Sequence, residues 1–185
     1  MEIYLLRHPP VQIKKGICYG QSDLPIVSNW ETYLSPKINT LPENLKVFSS
    51  DLKRCSEVAQ HLYPNNFITD QNLREVHFGS WEGRKWNDIP KNQIDEWNNK
   101  LDTWNQHQGE SFQQLKERAQ TFIGSLDQTS ETPVLIVTHA GWIRALLAHL
   151  LNLTAQQAFM FEFNYGSLSC IASKKNYSSI VYLNH

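Results

Sequence analysis

Two histidines stand at the ends of two separate apolar runs. Ile3-Tyr4-Leu5-Leu6 leads into Arg7-His8, and Val134-Leu135-Ile136-Val137 leads into Thr138-His139. A neutral imidazole is a competent nucleophile with a pKa near neutrality. Attack on phosphorus by His8 would give a phosphohistidine. The group in transfer carries negative charge on its non-bridging oxygens and needs fixed cations. Arg7 supplies one beside the nucleophile. His139 could donate to a phosphoryl oxygen. The small pair Ala140-Gly141 after it lets a helix begin directly at the strand end, with free amides aimed into the same space.

Two further stretches add to this chemistry. In Ser49-Ser50-Asp51-Leu52-Lys53-Arg54 a strand ends and a helix begins, and Arg54 in the first turn could reach back to the crevice. Leu73-Arg74-Glu75-Val76-His77-Phe78-Gly79-Ser80-Trp81-Glu82-Gly83 has no periodicity and two glycines, so it reads as an ordered loop. A carboxylic acid there could protonate a leaving alkoxide if its pKa were raised. Spacing alone leaves Glu75 and Glu82 both open. Each residue also has a plainer reading: a satisfied strand-end histidine, a solvated arginine, a carboxylate that braces its loop.

The elements that must position these groups follow from pattern. Fully apolar runs bounded by polar residues read as buried strands of a parallel sheet, at residues 2–6 and 134–138. Residues 46–49 form a short strand. The helix after Ser50 carries Leu52, Cys55, Val58 or Ala59, and Leu62 on one face. Residues 9–28 are a polar loop. Residues 111–127 follow the 3.6 period, and Ser111 with Gln114 forms a capping box. Residues 141–152 form a buried helix, and Thr154 with Gln157 caps a short one. Strands at 166–173 and 178–183 flank a turn from Lys174 to Tyr177. Ligands of open α/β sheets bind beyond the carboxyl ends of such strands, so His8 and His139 are expected to share one crevice. The stretch 81–110 holds Trp81, Trp86, Trp97 and Trp104 and few aliphatics. It reads as a small helical excursion beside the sheet ends, a candidate lid or pocket wall, its tryptophans more readily core than a base-stacking platform.

In order and wording, these pieces resemble the histidine phosphatase superfamily, the phosphoglycerate mutase-like family. Its pattern is Arg-His-Gly near the N-terminus, Ser-x-Leu-x-Arg, Leu-x-Glu followed by Gly-x-Trp-Glu-Gly, and a late Thr-His-Gly/Ala-Gly. The matching stretches are Arg7-His8, Ser50 to Arg54, Leu73 to Gly83 and Thr138 to Gly141. The likeness runs from residue 3 to about residue 150. It implies a three-layer α/β/α sandwich around a mostly parallel sheet, as one domain over 1–185. It implies His8 as phosphate acceptor, Arg7, Arg54 and His139 as the phosphoryl-holding groups with Ala140 beside them, Glu75 as proton donor, and no metal or other cofactor. One departure is Pro9-Pro10 where the family has glycine. Proline has no N–H, so a backbone contact to phosphate from that position is lost.

Gly16 to Pro25 resembles the Cys-Tyr-Gly-x-Ser-Asp-x-Pro stretch of α-ribazole phosphatases, and the Trp-rich middle and Gly109-Glu110-Ser111-Phe112 are also similar to theirs. That likeness implies removal of the 5′-phosphate of α-ribazole phosphate or of an adenosylcobalamin phosphate. It also implies Tyr19, Gln21 and Ser22 as substrate contacts. A mutase or a broad sugar-phosphate phosphatase of the same superfamily is the alternative, and a non-catalytic phosphate-binding protein a remoter one. Composition fits a globular chain, 41% hydrophobic and 19% charged, with net charge −1. No basic field favours nucleic acid or anionic lipid. No run approaches the ~18 apolar residues of a membrane span. Three cysteines and seven histidines show no ligand spacing, so no metal is expected. The expected setting is cytoplasmic, the expected partner a small phosphomonoester, the expected assembly a monomer or homodimer.

Overall fold

The computed structural model describes residues 1–127, 129–174 and 177–185. The turn expected from Lys174 to Tyr177 falls on residues 175 and 176 and lies outside the described residues. Strands β1 (Glu2–Arg7), β2 (Lys46–Ser49), β3 (Ile68–Thr69), β4 (Val134–Thr138), β5 (Leu168–Lys174) and β6 (Tyr177–Tyr182) form one sheet in the order β3-β2-β4-β1-β5-β6. β1, β4, β2 and β3 run parallel, and β5 and β6 are antiparallel additions beside β1.

The pleat explains why helices cover both faces. Ile3, Leu5, Val134 and Ile136 point to one side, where they meet α3 (Phe112–Ser125), α4 (Ala140–Leu151) and α5 (Ala155–Ala158). Tyr4, Leu6, Leu135 and Val137 point to the other, against Cys55, Val58 and Ala59 of α1 (Lys53–Leu62). Strands buried on both faces have no room for polar residues, hence the uninterrupted apolar runs. The result is the expected α/β/α sandwich with a mostly parallel sheet. α3 begins with the expected capping box: Ser111 Oγ accepts from the Gln114 amide at 3.3 Å, and Gln114 Oε1 accepts from the Ser111 amide at 2.8 Å.

Differences from the sequence reading are local. β3 has two residues, both exposed, too short and too wet for a pattern to reveal. In the 81–110 excursion, α2 (Lys91–Asn99) is the one α-helix. Trp81 and Trp104 take the core role that the sequence favours for them. They are buried with Cys18 and Ile89 in a third small core, their rings 4.9 Å apart, so aromatic area replaces the missing aliphatics. Among the described residues no helix is long and apolar enough to cross a membrane, and no three metal-ligating side chains cluster.

Candidate active site

Strand register creates the site. Arg7 pairs with Thr138 across β1 and β4, and the His8 amide donates to the Thr138 carbonyl at 3.0 Å. The next residue on each strand is a histidine. Their ring centroids lie 5.0 Å apart, at an interplanar angle of 62°. Both rings are buried, His8 at 2% exposure and His139 at 0%.

Each ring has its tautomer set by its neighbour. His8 Nδ1 lies 2.6 Å from the Pro9 carbonyl, which can only accept. Nδ1 therefore carries the proton, and the Nε2 lone pair is left free. The proline that removes an amide still supplies this carbonyl. His139 Nδ1 accepts from Arg54 Nε at 3.1 Å, so the proton of that neutral ring sits on Nε2. Cys55 Sγ lies 3.5 Å from that Nε2. Burial, then Arg54 and Arg7, hold His8 well below the usual imidazole pKa. Burial, then Arg54 and His8, do the same for His139.

This has a consequence for stability. Both rings are neutral in the fold, while in the unfolded chain they titrate near 6.5. As pH falls below about 6.5 the unfolded chain takes up protons that the folded site refuses, so stability is lost on acidification. The slope is at most about 1.4 kcal/mol per pH unit for each ring. Denaturant midpoints measured from pH 7 down to 5 should fall, and less steeply in His8→Gln. An unchanged slope in that variant would assign the titration to other histidines.

Two guanidinium groups flank the rings. Arg54 is fully buried; Nη1 donates to the Ser22 carbonyl at 2.8 Å and Nη2 to the Gly20 carbonyl at 2.5 Å. With the bond to His139, three of its N–H groups have protein partners. Arg7 Nη1 donates to the Phe163 carbonyl, and its buried Nε has no partner. Among the described residues, neither arginine forms an ion pair with a carboxylate. Buried charge without a counter-charge is costly. The arrangement therefore suits an anion arriving from solution.

The two carboxylates separate clearly. Glu75 Oε2 accepts from the Gly141 amide at 3.1 Å, and Oε1 accepts from the Val76 amide at 3.0 Å. One free amide of α4, which begins at Ala140, is thus taken by Glu75. A Cβ at Gly141 would lie 2.2 Å from Glu75 Oε1, so only glycine admits the carboxylate there. Glu82 binds the amides of Gln21, Ser22 and Phe78 at 2.6–3.0 Å and the Ser22 hydroxyl at 2.5 Å. These bonds outweigh its desolvation and hold its carboxyl below the usual range. Glu82 therefore fixes the loop whose carbonyls receive Arg54. Gly20 permits this, since a Cβ there would fall 2.1 Å from the Val76 carbonyl.

The other expected contacts are near. Gln21 Nε2 donates to the Glu75 carbonyl at 3.1 Å. The amide and hydroxyl of Ser22 are both engaged with Glu82. Tyr19 lies over Arg54, with 5.5 Å from the ring centroid to Cζ, and its hydroxyl meets that of Tyr165 at 2.6 Å. Tyr165 was not foreseen. Its ring stacks on Arg7 at 3.7 Å and lies 5.6 Å from His8. It sits in an irregular segment before β5, where no periodicity or motif flags it.

Residues 3–185 match the Histidine phosphatase superfamily (branch 1). An adenosylcobalamin/alpha-ribazole phosphatase of Escherichia coli is 27% identical over 201 residues, covering 100% of this chain and 96% of that one. A glucosyl-3-phosphoglycerate phosphatase of Mycolicibacterium vanbaalenii is 28% identical over 169 residues, covering 82% and 74%. The crystal structure of the alpha-ribazole phosphatase from Shigella flexneri superposes with a TM-score of 0.85 at 24% identity, over 100% of this chain and 96% of that one. At that identity the superposition speaks for the fold alone.

Proposed function

Because the chain belongs to the histidine phosphatase superfamily (branch 1), we propose that it hydrolyses a phosphomonoester through a phosphohistidine on His8. The observation that carries this reading is the pair of a half-buried Arg7 and a fully buried Arg54 beside a neutral imidazole, with unspent N–H donors and, among the described residues, no carboxylate partner. His8 Nε2 attacks phosphorus as the ester oxygen leaves. Arg7, Arg54 and the His139 Nε2–H hold the non-bridging oxygens; the Cys55 sulfur is a weak acceptor that a phosphoryl oxygen displaces. Glu75 gives its proton to the leaving alkoxide. It then takes a proton from water as water attacks the phosphohistidine, which restores both residues.

The substrate we propose is α-ribazole 5′-phosphate or the corresponding adenosylcobalamin phosphate. The support is the full-length similarity to relatives of that name and the Tyr19 to Asp23 loop held against Arg54. The three free, buried cysteines suit a reducing compartment such as the cytoplasm. A turnover screen decides the substrate: α-ribazole 5′-phosphate against 3-phosphoglycerate, fructose bisphosphates and nucleotides. The highest kcat/KM on α-ribazole phosphate supports the assignment. A higher value on a sugar phosphate, or interconversion of phosphoglycerates, replaces it.

Gly141 offers a check on the acid. Gly141→Ala removes no functional group, and alanine favours a helix. It must push the Glu75 carboxylate aside. Turnover of an alkyl phosphate is expected to fall about 10- to 10²-fold, with the thermal midpoint nearly unchanged. Full activity in that variant would separate Glu75 from proton transfer.

A further inference from the structure

Among the described residues, the carboxylate of Glu75 has two hydrogen bonds, both to amides. One amide is Val76's, in its own loop, and the other is Gly141's, in the first turn of α4, so the place of the acid depends on how the backbone of residues 72–77 is held against α4. That loop is gripped by an ion pair. Arg118, on α3, donates from Nη1 to the carbonyls of Asn72 at 2.8 Å and Arg74 at 2.7 Å. Its Nη2 donates to the Glu75 carbonyl at 3.2 Å and to Glu110 Oε2 at 2.8 Å. Its Nε donates to Glu110 Oε1 at 2.9 Å. All five guanidinium N–H groups are thereby spent, none of them toward the pocket. This sets Arg118 apart from Arg7 and Arg54, which keep donors free.

Glu110 grips the far end of the same loop. Its amide donates to the His77 carbonyl at 2.7 Å, and its Oε2 accepts from the His77 amide at 3.3 Å. Gly109 makes the approach possible, since a Cβ there would lie 2.2 Å from the His77 carbonyl. The pair is about 15% exposed on both sides, and the capping box at Ser111 anchors the helix that bears Arg118.

We infer that the Glu110–Arg118 pair is the positioning device for proton delivery by Glu75. This rests on the reading of Glu75 as the general acid. Both act through the loop, and neither side chain hydrogen-bonds to Arg7, His8, Arg54 or His139 among the described residues. Their loss lets the loop relax and moves the acid off the leaving oxygen, while His8 and the phosphoryl-holding arginines keep their places. Lysine at 118 has three donors on one nitrogen and cannot reach five acceptors in a plane.

The test compares two leaving groups. Phosphoenzyme formation is measured with 4-nitrophenyl phosphate, whose leaving group departs without a proton, and turnover with a simple alkyl phosphate. Glu75→Gln is the reference, expected to lose roughly 10²-fold on the alkyl ester and far less on the nitrophenyl ester. Arg118→Met and Glu110→Gln should lose about 10- to 10²-fold on the alkyl ester and keep phosphoenzyme formation within about threefold. Arg118→Lys should recover only part. The double variant Arg118→Met/Glu75→Gln should be no slower than Glu75→Gln alone, since both changes remove one function. Equal losses on both esters in Arg118→Met and Glu110→Gln, or additive losses in the double variant, overturn the inference while Glu75 stays the acid. Equal losses in Glu75→Gln overturn the reading beneath it. Glu110→Gln keeps side-chain volume, so the test stands if Arg118→Met fails to fold.

Discussion

His8→Ala is expected to abolish the phosphoenzyme and lower turnover roughly 10⁴-fold or more, as when a covalent nucleophile is lost. The geometry makes the expectation specific. The Pro9 carbonyl holds the proton on Nδ1, and burial with two nearby guanidiniums keeps the ring neutral, so one nitrogen carries a lone pair. His139, the adjacent ring, has its Nδ1 occupied by Arg54 and cannot take over. Rapid quenching of the wild-type chain with labelled substrate should trap an acid-labile, base-stable adduct. His8→Ala should trap none, while inorganic phosphate still protects it from thermal unfolding. Label retained in that variant would move the nucleophile to another residue.

Arg54→Ala is expected to cut the chemical rate by ~10²–10³, the loss seen for one charge-stabilising donor. Ground-state binding should weaken less, because the developing charge in transfer is what the free N–H groups meet. Lysine should rescue poorly. It cannot donate to His139 Nδ1 and to the Gly20 and Ser22 carbonyls while still facing a phosphoryl group. The same substitution has a spectroscopic signature. Arg54 is one of the groups that depress His139, so its removal should raise the His139 pKa in an NMR titration. Near-normal turnover, or a His139 titration that does not move, would take Arg54 out of the site.

How much of this was legible in the sequence depended on whether a feature is local. β1 and β4 announce themselves, because a strand covered on both faces tolerates no polar interruption. α3 does so through Ser111 and Gln114. Arg7, His8, Arg54 and His139 sit at element ends, where motif and topology coincide, and the structure brings them together. Glu75 reaches them through the first turn of α4. Spacing left Glu75 and Glu82 both open and only the resemblance named Glu75; the fold sets the two apart, with one carboxylate against α4 and the other spent on amides that include those of a distant loop. Tyr165 and Arg118 were invisible for the same reason. Arg118 has the spacing of any polar residue on an amphipathic helix, and only the fold turns it toward carbonyls from residues 72–75. The tryptophans of the excursion read more readily as core than as a stacking platform, and Trp81 and Trp104 fill a core of their own.

The unspent donors of Arg7 and Arg54 also tie heat resistance to product. A cluster of guanidinium groups without carboxylate partners is relieved by any phosphate that binds it, and the unfolded chain offers no such cluster. By linkage, inorganic phosphate at a hundred times its dissociation constant adds about 2.7 kcal/mol to folding stability. For a chain of this length that is a rise of roughly 5–10 °C in Tm. The dissociation constant from the melting curve should equal the constant for competitive product inhibition, and both should weaken together in Arg54→Ala. Chloride at the same ionic strength should do neither. The rate at which the enzyme clears its product and the temperature it survives are then two readings of one equilibrium.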